Sequence, residues 1–290
     1  MNSKFRWIYV WMWLLVGNLY SCKENNELGE SIFDTTERTR NDFDRWILNN
    51  YVYPYNIDFK YRMEDIESSM QYHLVPADMD KSIKLAKLVK HLWLEVYDEV
   101  AGIHFTRAYV PKIIHLIGSP AYESNGSMLL GTAEGGMKVT LYMVNSLRME
   151  ADFLNYFYFR TMHHEFTHIL NQQKNYDVDF EKISEGNYIQ GNWSQLSDEY
   201  AASFGFVSPY ACSEPREDFA EVLSTYVTYT QRDWDALLVY AGTNGSAIIN
   251  QKWEMVKNYM KNSWEIDLTE LRDVVQRRSG EIELLDLDNL

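Results

Sequence analysis

His163-His164-Glu165-Phe166-Thr167-His168 is the stretch on which the reading of this chain turns. Within it, His164, Glu165 and His168 form a His-Glu-x-x-His pattern. On a helix, residues at i and i+4 lie one above the other on the same face, so two imidazoles at that spacing can share one cation. Neutral imidazole suits Zn²⁺, and a glutamate one position along can reach a water activated by the metal and take its proton. The flanking residues agree with this geometry. At about 100° per residue, Phe159, Met162, Phe166, Ile169 and Leu170 share one face, and His164 and His168 fall nearly opposite. His163 falls with the core set and reads as a packed group rather than a ligand.

A catalytic zinc site takes three protein ligands and leaves a position for water. One known continuation of the motif requires Gly three residues after His168 and His six after it; Asn171 and Lys174 stand there, which excludes the metzincin class. The other option is an acid from a later segment. Asp177, Asp179, Glu185, Glu199 and Glu217 all lie downstream. Glu217-Asp218-Phe219-Ala220-Glu221 stands out, because Glu217 and Glu221 share a helix face while Phe219, Val222, Leu223 and Tyr226 occupy the other. Pro215 suits the first turn of such a helix. One carboxylate can bind the metal, and the other, a turn later, can accept the outer N–H of a ligating histidine.

A His-Glu-x-x-His helix followed by a glutamate helix resembles the gluzincin metallopeptidases. The stretch from Ser208 through Tyr210 to Glu221 is similar to the corresponding part of the anthrax lethal factor-like branch, with a tyrosine seven residues before the glutamate that opens a Glu-x-Phe-Ala-Glu run. The resemblance implies a zincin-like fold, one Zn²⁺ per chain held by His164, His168 and Glu217, and Glu165 as general base. It also implies that Glu221 orients a ligating histidine and that Tyr210 donates to the oxyanion. The whole chain is also similar to zinc metallohydrolase lipoproteins encoded beside TonB-dependent nutrient importers. The gluzincin likeness implies a peptide or protein substrate, and the importer-linked likeness a TonB-dependent import complex as partner.

Outward from the motif, hydrophobic periodicity predicts helices over 41–49, 80–100 and 149–173, the second with Ile83, Leu85, Leu88, Leu92 and Val96 inward. Strand-like runs cover 56–63, 112–118, 127–133 and 137–145, with Glu134-Gly135-Gly136 as the turn between the last two. Later helices are expected over 197–205, 216–231, 234–241, 246–261 and 268–278. Strands and long helices in front of a helical lobe make an α+β layout. The gluzincin resemblance implies a sheet edge near the zinc helix to which a peptide adds as a strand, and residues 127–134 are the candidate; on periodicity an internal strand reads equally well.

The 290 residues are 46% hydrophobic and 15% aromatic, ample for a packed core. A formal charge of −15 argues against nucleic acid as a partner, which demands clustered Lys and Arg. Lys4 and Arg6 precede an apolar run, 7–16, too short to span a bilayer, and Leu19-Tyr20-Ser21-Cys22 resembles a lipobox. The expected organisation is therefore a leader over 1–21, a lipidated tether over 22–40 beginning at Cys22, and one zincin-like domain over 41–290. That domain divides into a sheet-bearing lobe, 41–175, and a helical lobe, 176–290. Localisation follows: extracytoplasmic, anchored by lipid to the outer membrane. Cys212, the other cysteine, reads as a small buried hydrophobe. The alternative to a zinc-dependent peptidase is a non-catalytic ligand-binding surface lipoprotein of a nutrient uptake system, against which Glu165 stands.

Overall fold

The computed structural model describes residues 39–64, 69–123 and 126–290, except 127, 130 and 135. The leader, Cys22 and the tether up to residue 38 lie outside the described residues. Among those described, no helix is long and apolar enough to cross a membrane.

The first helix, Asp42–Ile47, starts on a reciprocal cap in which the Asn41 and Asp44 side chains each accept from the other's backbone N–H. It runs on through a π-helical turn, Leu48–Val52, and ends where Asn56 adopts a left-handed φ of 57°. That turn consumes the front of the run predicted as strand over 56–63, and only β1, Asp58–Lys60, remains extended. The long amphipathic helix spans Met79–Val89, a π turn Lys90–Leu94 and Glu95–Ala101. Leu85, Leu88, Leu92 and Val96 are buried in it, as expected, while Ile83 is partly exposed.

Among the described residues five further strands follow: β2 Ile113–Leu116, β3 Ala121–Tyr122, β4 Met128–Leu129, β5 Gly131–Glu134 and β6 Lys138–Leu141. The main sheet has the order β1-β2-β6-β5. β2 pairs in parallel with both β1 and β6, whereas β5 pairs antiparallel with β6 in the register Gly131↔Leu141 to Glu134↔Lys138. β6 is buried along its whole length, as befits a strand covered on both faces. The run predicted as one strand over 127–133 divides between two partners, since β4 pairs with β3 and β5 joins the main sheet. β5 is thereby the sheet's edge, next to a turn in which Gly136 takes a φ of +71°.

That edge runs beside the helix Arg160–Gln173, here called the histidine helix. A Cβ on Gly131 would lie 2.6 Å from Thr161 Cγ2, and one on Gly136 would lie 3.0 Å from Gln172 Oε1. The histidine helix in turn packs along Pro215–Thr228, the glutamate helix. Phe159, Met162, Phe166, Ile169 and Leu170 are buried on one side, and every residue from Asp218 to Thr228 is buried on the other. Gly242–Trp264 and Leu268–Ser279 pack behind the glutamate helix. A helix-rich body with a small mixed sheet and the two-stranded ribbon β3-β4 makes the architecture α+β.

Candidate metal centre

Three ligand-type atoms converge between the two central helices. His164 Nε2 lies 2.8 Å from Glu217 Oε2 and 3.0 Å from His168 Nε2, and His168 Nε2 lies 3.3 Å from the same Glu217 oxygen. The two imidazole planes stand 82° apart with centroids at 4.7 Å. A tetrahedral Zn²⁺ with ligands at about 2.0–2.2 Å separates neighbouring ligand atoms by about 3.3 Å. The observed triangle needs to open by only a few tenths of an ångström, and its donor set of two imidazoles and one carboxylate suits that ion. His164, His168 and Glu217 thus form a group able to hold one metal.

Local sequence explains the convergence. The i, i+4 spacing stacks the histidines, and Glu217 occupies the first turn of its helix, behind Pro215, where the helix dipole favours negative charge. Burial works against ionised Glu217, yet its hydrogen bonds with His164 and His168 bring its pKa below the usual carboxylate range.

Glu221 sits one turn along. Its Oε1 is 2.9 Å from His164 Nδ1, while Oε2 accepts from Ser208 Oγ at 2.5 Å and from the Arg160 guanidinium. Burial opposes the charge here too, but Arg160, and then the His164 and Ser208 hydrogen bonds, hold the Glu221 pKa at about 2. A carboxylate so fixed can keep a proton on Nδ1 of His164 and leave Nε2 to the cation. In the metal-free chain burial disfavours charge on His164, but Glu217 and Glu221 overcome it and raise the pKa to about 10.

Glu165 is mostly buried on the same turn, and its pKa is raised chiefly by burial, against the pull of His164 and His168. Tyr210 lies with its ring 5.7 Å from that of His164 and edge-on to Trp193 at 4.9 Å. Its pKa is also raised, first by burial and then by Glu217, so at neutral pH it is a hydrogen-bond donor. The structure therefore brings together His164, Glu165, His168, Tyr210, Glu217 and Glu221.

The remaining candidates fall elsewhere. Asp177, Asp179, Glu185 and Glu199 are exposed and outside the group, and Asp179 pairs with Lys182 at 2.6 Å. His163 is fully buried with Nδ1 2.9 Å from the Tyr97 hydroxyl, and burial pushes its pKa down to about 3. Cys212 is a free, buried thiol. Arg160 and Ser208 were not anticipated. Arg160 did leave a signal, since it precedes His164 by four residues and shares the face of the two histidines. Ser208 left none.

The Peptidase_Mx1 family, described as "Putative zinc-binding metallo-peptidase", matches residues 36–269. A solved structure described as "a putative zinc-binding metallo-peptidase from Bacteroides caccae ATCC 43185" is 53% identical, covering 89% of this chain and 99% of that one with a TM-score of 0.76. None of the curated proteins matches the chain. The family's span takes in both central helices and every residue of the converging group, and the chain belongs to the Peptidase_Mx1 family.

Proposed function

We propose that the chain hydrolyses peptide bonds at this centre, with one Zn²⁺ held by His164, His168 and Glu217. The observation that carries the reading is the triangle of three ligand atoms with Glu165 on the same helical turn. Zinc, when bound, supplies a Lewis acid that polarises a carbonyl and lowers the pKa of water to about 7. Glu165 takes a proton from the water that attacks the carbonyl carbon and returns it to the amine as the C–N bond breaks. Burial raises its pKa above the ordinary carboxylate value, the direction that favours uptake of a proton by a general base. Tyr210 donates to the oxygen on which negative charge develops. Glu221 holds His164 in one tautomer, and Arg160 and Ser208 hold Glu221 charged and in place.

β5, last in the order of the main sheet among the described residues and close to the histidine helix, supports binding of the peptide as an added antiparallel strand. The basic and apolar leader with Cys22 behind it supports an extracytoplasmic, lipid-anchored protein, and the whole-chain likeness to importer-linked lipoproteins supports a TonB-dependent import complex as partner.

The test measures zinc content and mixed-peptide cleavage on the same preparations of the native chain, Glu217→Ala and Glu165→Gln. Glu217→Ala should lose zinc and activity together. Glu165→Gln should keep stoichiometric zinc and lose turnover. Native zinc affinity in Glu217→Ala would refute the ligand assignment, and native rates in zinc-loaded Glu165→Gln would refute the general base.

A further inference from the structure

Behind the metal ligands lies a pair of charges sealed from water. Lys252, on the helix Gly242–Trp264, and Asp218, the residue next to Glu217, both have fully buried side chains, with Nζ 2.7 Å from Asp218 Oδ2. The ammonium has three donors and three recipients. The others are the Gly205 carbonyl, at 2.8 Å, and the face of the Phe206 ring, 3.8 Å from its centroid. The same Asp218 oxygen accepts from the Tyr188 hydroxyl at 2.9 Å.

Such a pair is a poor device for stability alone. Taking both charges out of water costs more than an apolar pair of similar size, and replacing buried ion pairs by apolar groups is often neutral or stabilising. What the pair does have is direction. One partner, Asp218, stands between Glu217 and Glu221 in the glutamate helix. The other recipient, Gly205, begins the short segment that carries Ser208, which reaches Glu221, and Tyr210, which lies against His164. Gly205 has a φ of +82°, and a Cβ there would lie 2.3 Å from Ile248 Cγ2, so this segment is pressed onto the helix of Lys252 itself.

We propose that Lys252 is a positioning residue for the metal centre. Its ammonium locks the first turn of the glutamate helix to the Ser208–Tyr210 segment, so that Glu217, Glu221 and Tyr210 approach His164 from fixed directions. Rotation of that turn would swing Glu217 away from the histidines and Glu221 away from Ser208 together. The inference rests on Glu217 being a metal ligand.

The test is the double variant Lys252→Met with Asp218→Leu, which removes both charges and leaves neither unpaired. Two measurements are made on the full chain: thermal melting in chelator, and Zn²⁺ affinity by competition with a chromophoric chelator. The expected result is a metal-free melting temperature no lower than the native one, with zinc binding weakened by about 10- to 100-fold. Zinc affinity within about 3-fold of native would overturn the proposal, leaving the pair a packing feature. Should the double variant fail to fold, Tyr188→Phe decides, since it removes one hydrogen bond from the same Asp218 oxygen. A zinc affinity lowered by about 3-fold or more supports the positioning role, and an unchanged one overturns it. Loss of zinc in Glu217→Ala, beside full affinity in these variants, would sink this inference and leave the ligand assignment standing.

Discussion

At the proposed centre, zinc and a proton would compete for the same nitrogen of His164, and the surrounding carboxylates set the terms of that competition. In the metal-free chain the ring lies between Glu217 on Nε2, at 2.8 Å, and Glu221 on Nδ1, at 2.9 Å. With both nitrogens facing carboxylates the imidazolium is stabilised, and the pKa rises to about 10. A cation binding at Nε2 must displace that proton. At pH 7 the displacement spans about 3 pH units and costs about 4 kcal/mol of apparent affinity. Zinc affinity should therefore climb about tenfold per pH unit, reaching about 100-fold between pH 7 and pH 9. An ordinary histidine of pKa about 6.5 would level off by about pH 7.5. Chelator competition at fixed ionic strength gives the slope, and calorimetric titration in buffers of different ionisation enthalpy counts the protons released. A flat affinity from pH 7.5 to 9, with no proton released at pH 8, would refute the reasoning.

The same contacts leave a signature in the metal-free fold. His164 has a folded pKa above its unfolded value of 6.5, so its contribution is whole below that pH and is lost as the pH rises through about 10. Glu221 is displaced the other way, from 4.5 to about 2, so its contribution is whole above pH 4.5 and is lost as the pH falls through about 2. His164 and Glu221 share one interaction, which is counted once. As far as this network is concerned, the chelated chain is most stable between those limits, at about pH 4.5 to 6.5. The extra melting temperature conferred by zinc should then grow as pH rises above that window.

Three further perturbations separate the remaining roles. Tyr210→Phe should keep its zinc and lower kcat by about 10²- to 10³-fold; a native kcat would make Tyr210 a packed aromatic and nothing more. Gly131→Ala drives a Cβ to 2.6 Å from Thr161 Cγ2 and 3.0 Å from the Thr140 carbonyl, and should destabilise the chain by about 1–3 kcal/mol in urea melts. Adding Thr161→Ser should recover part of that loss, and no recovery would show that the strain lies against the Thr140 backbone instead. Cys22→Ser should abolish lipidation and leader cleavage; a cleaved, membrane-bound Cys22→Ser protein would place the anchor elsewhere.

The sequence made legible what one helix contains by itself. His164 and His168 are readable because the period of a single helix brings them together, and the Glu217–Glu221 pair repeats that logic on the next helix. The paired faces were readable for the same reason, since Phe159, Phe166 and Leu170 all proved buried. Strand direction was not legible. Alternation says which side chains share a face but nothing about the neighbour, so the parallel pairing of β1 with β2 and of β2 with β6 had no precursor in the pattern. Nor was the π turn Asn155–Phe159, which lies inside the helical run expected over 149–173, between the α-helical turn Ala151–Leu154 and the histidine helix, and interrupts a uniform 100° wheel there.

What was least legible is what joins one helix to another. Arg160 reads in sequence as a polar neighbour on the face of the two histidines, with nothing to name its partner, and its guanidinium ends on Glu221, 61 residues away. Ser208 reads as a loop hydroxyl and ends on the same oxygen. Lys252 reads as one more polar position of a long helix and proves fully buried against Asp218. Each of these contacts has a physical demand behind it, because a buried charge must find a partner or shift its protonation. The demand follows from burial, and burial is set by the packing of helices far apart in the chain. Periodicity can therefore name the atoms that meet a cation, whereas the groups that aim those atoms become visible only once the two central helices are laid side by side.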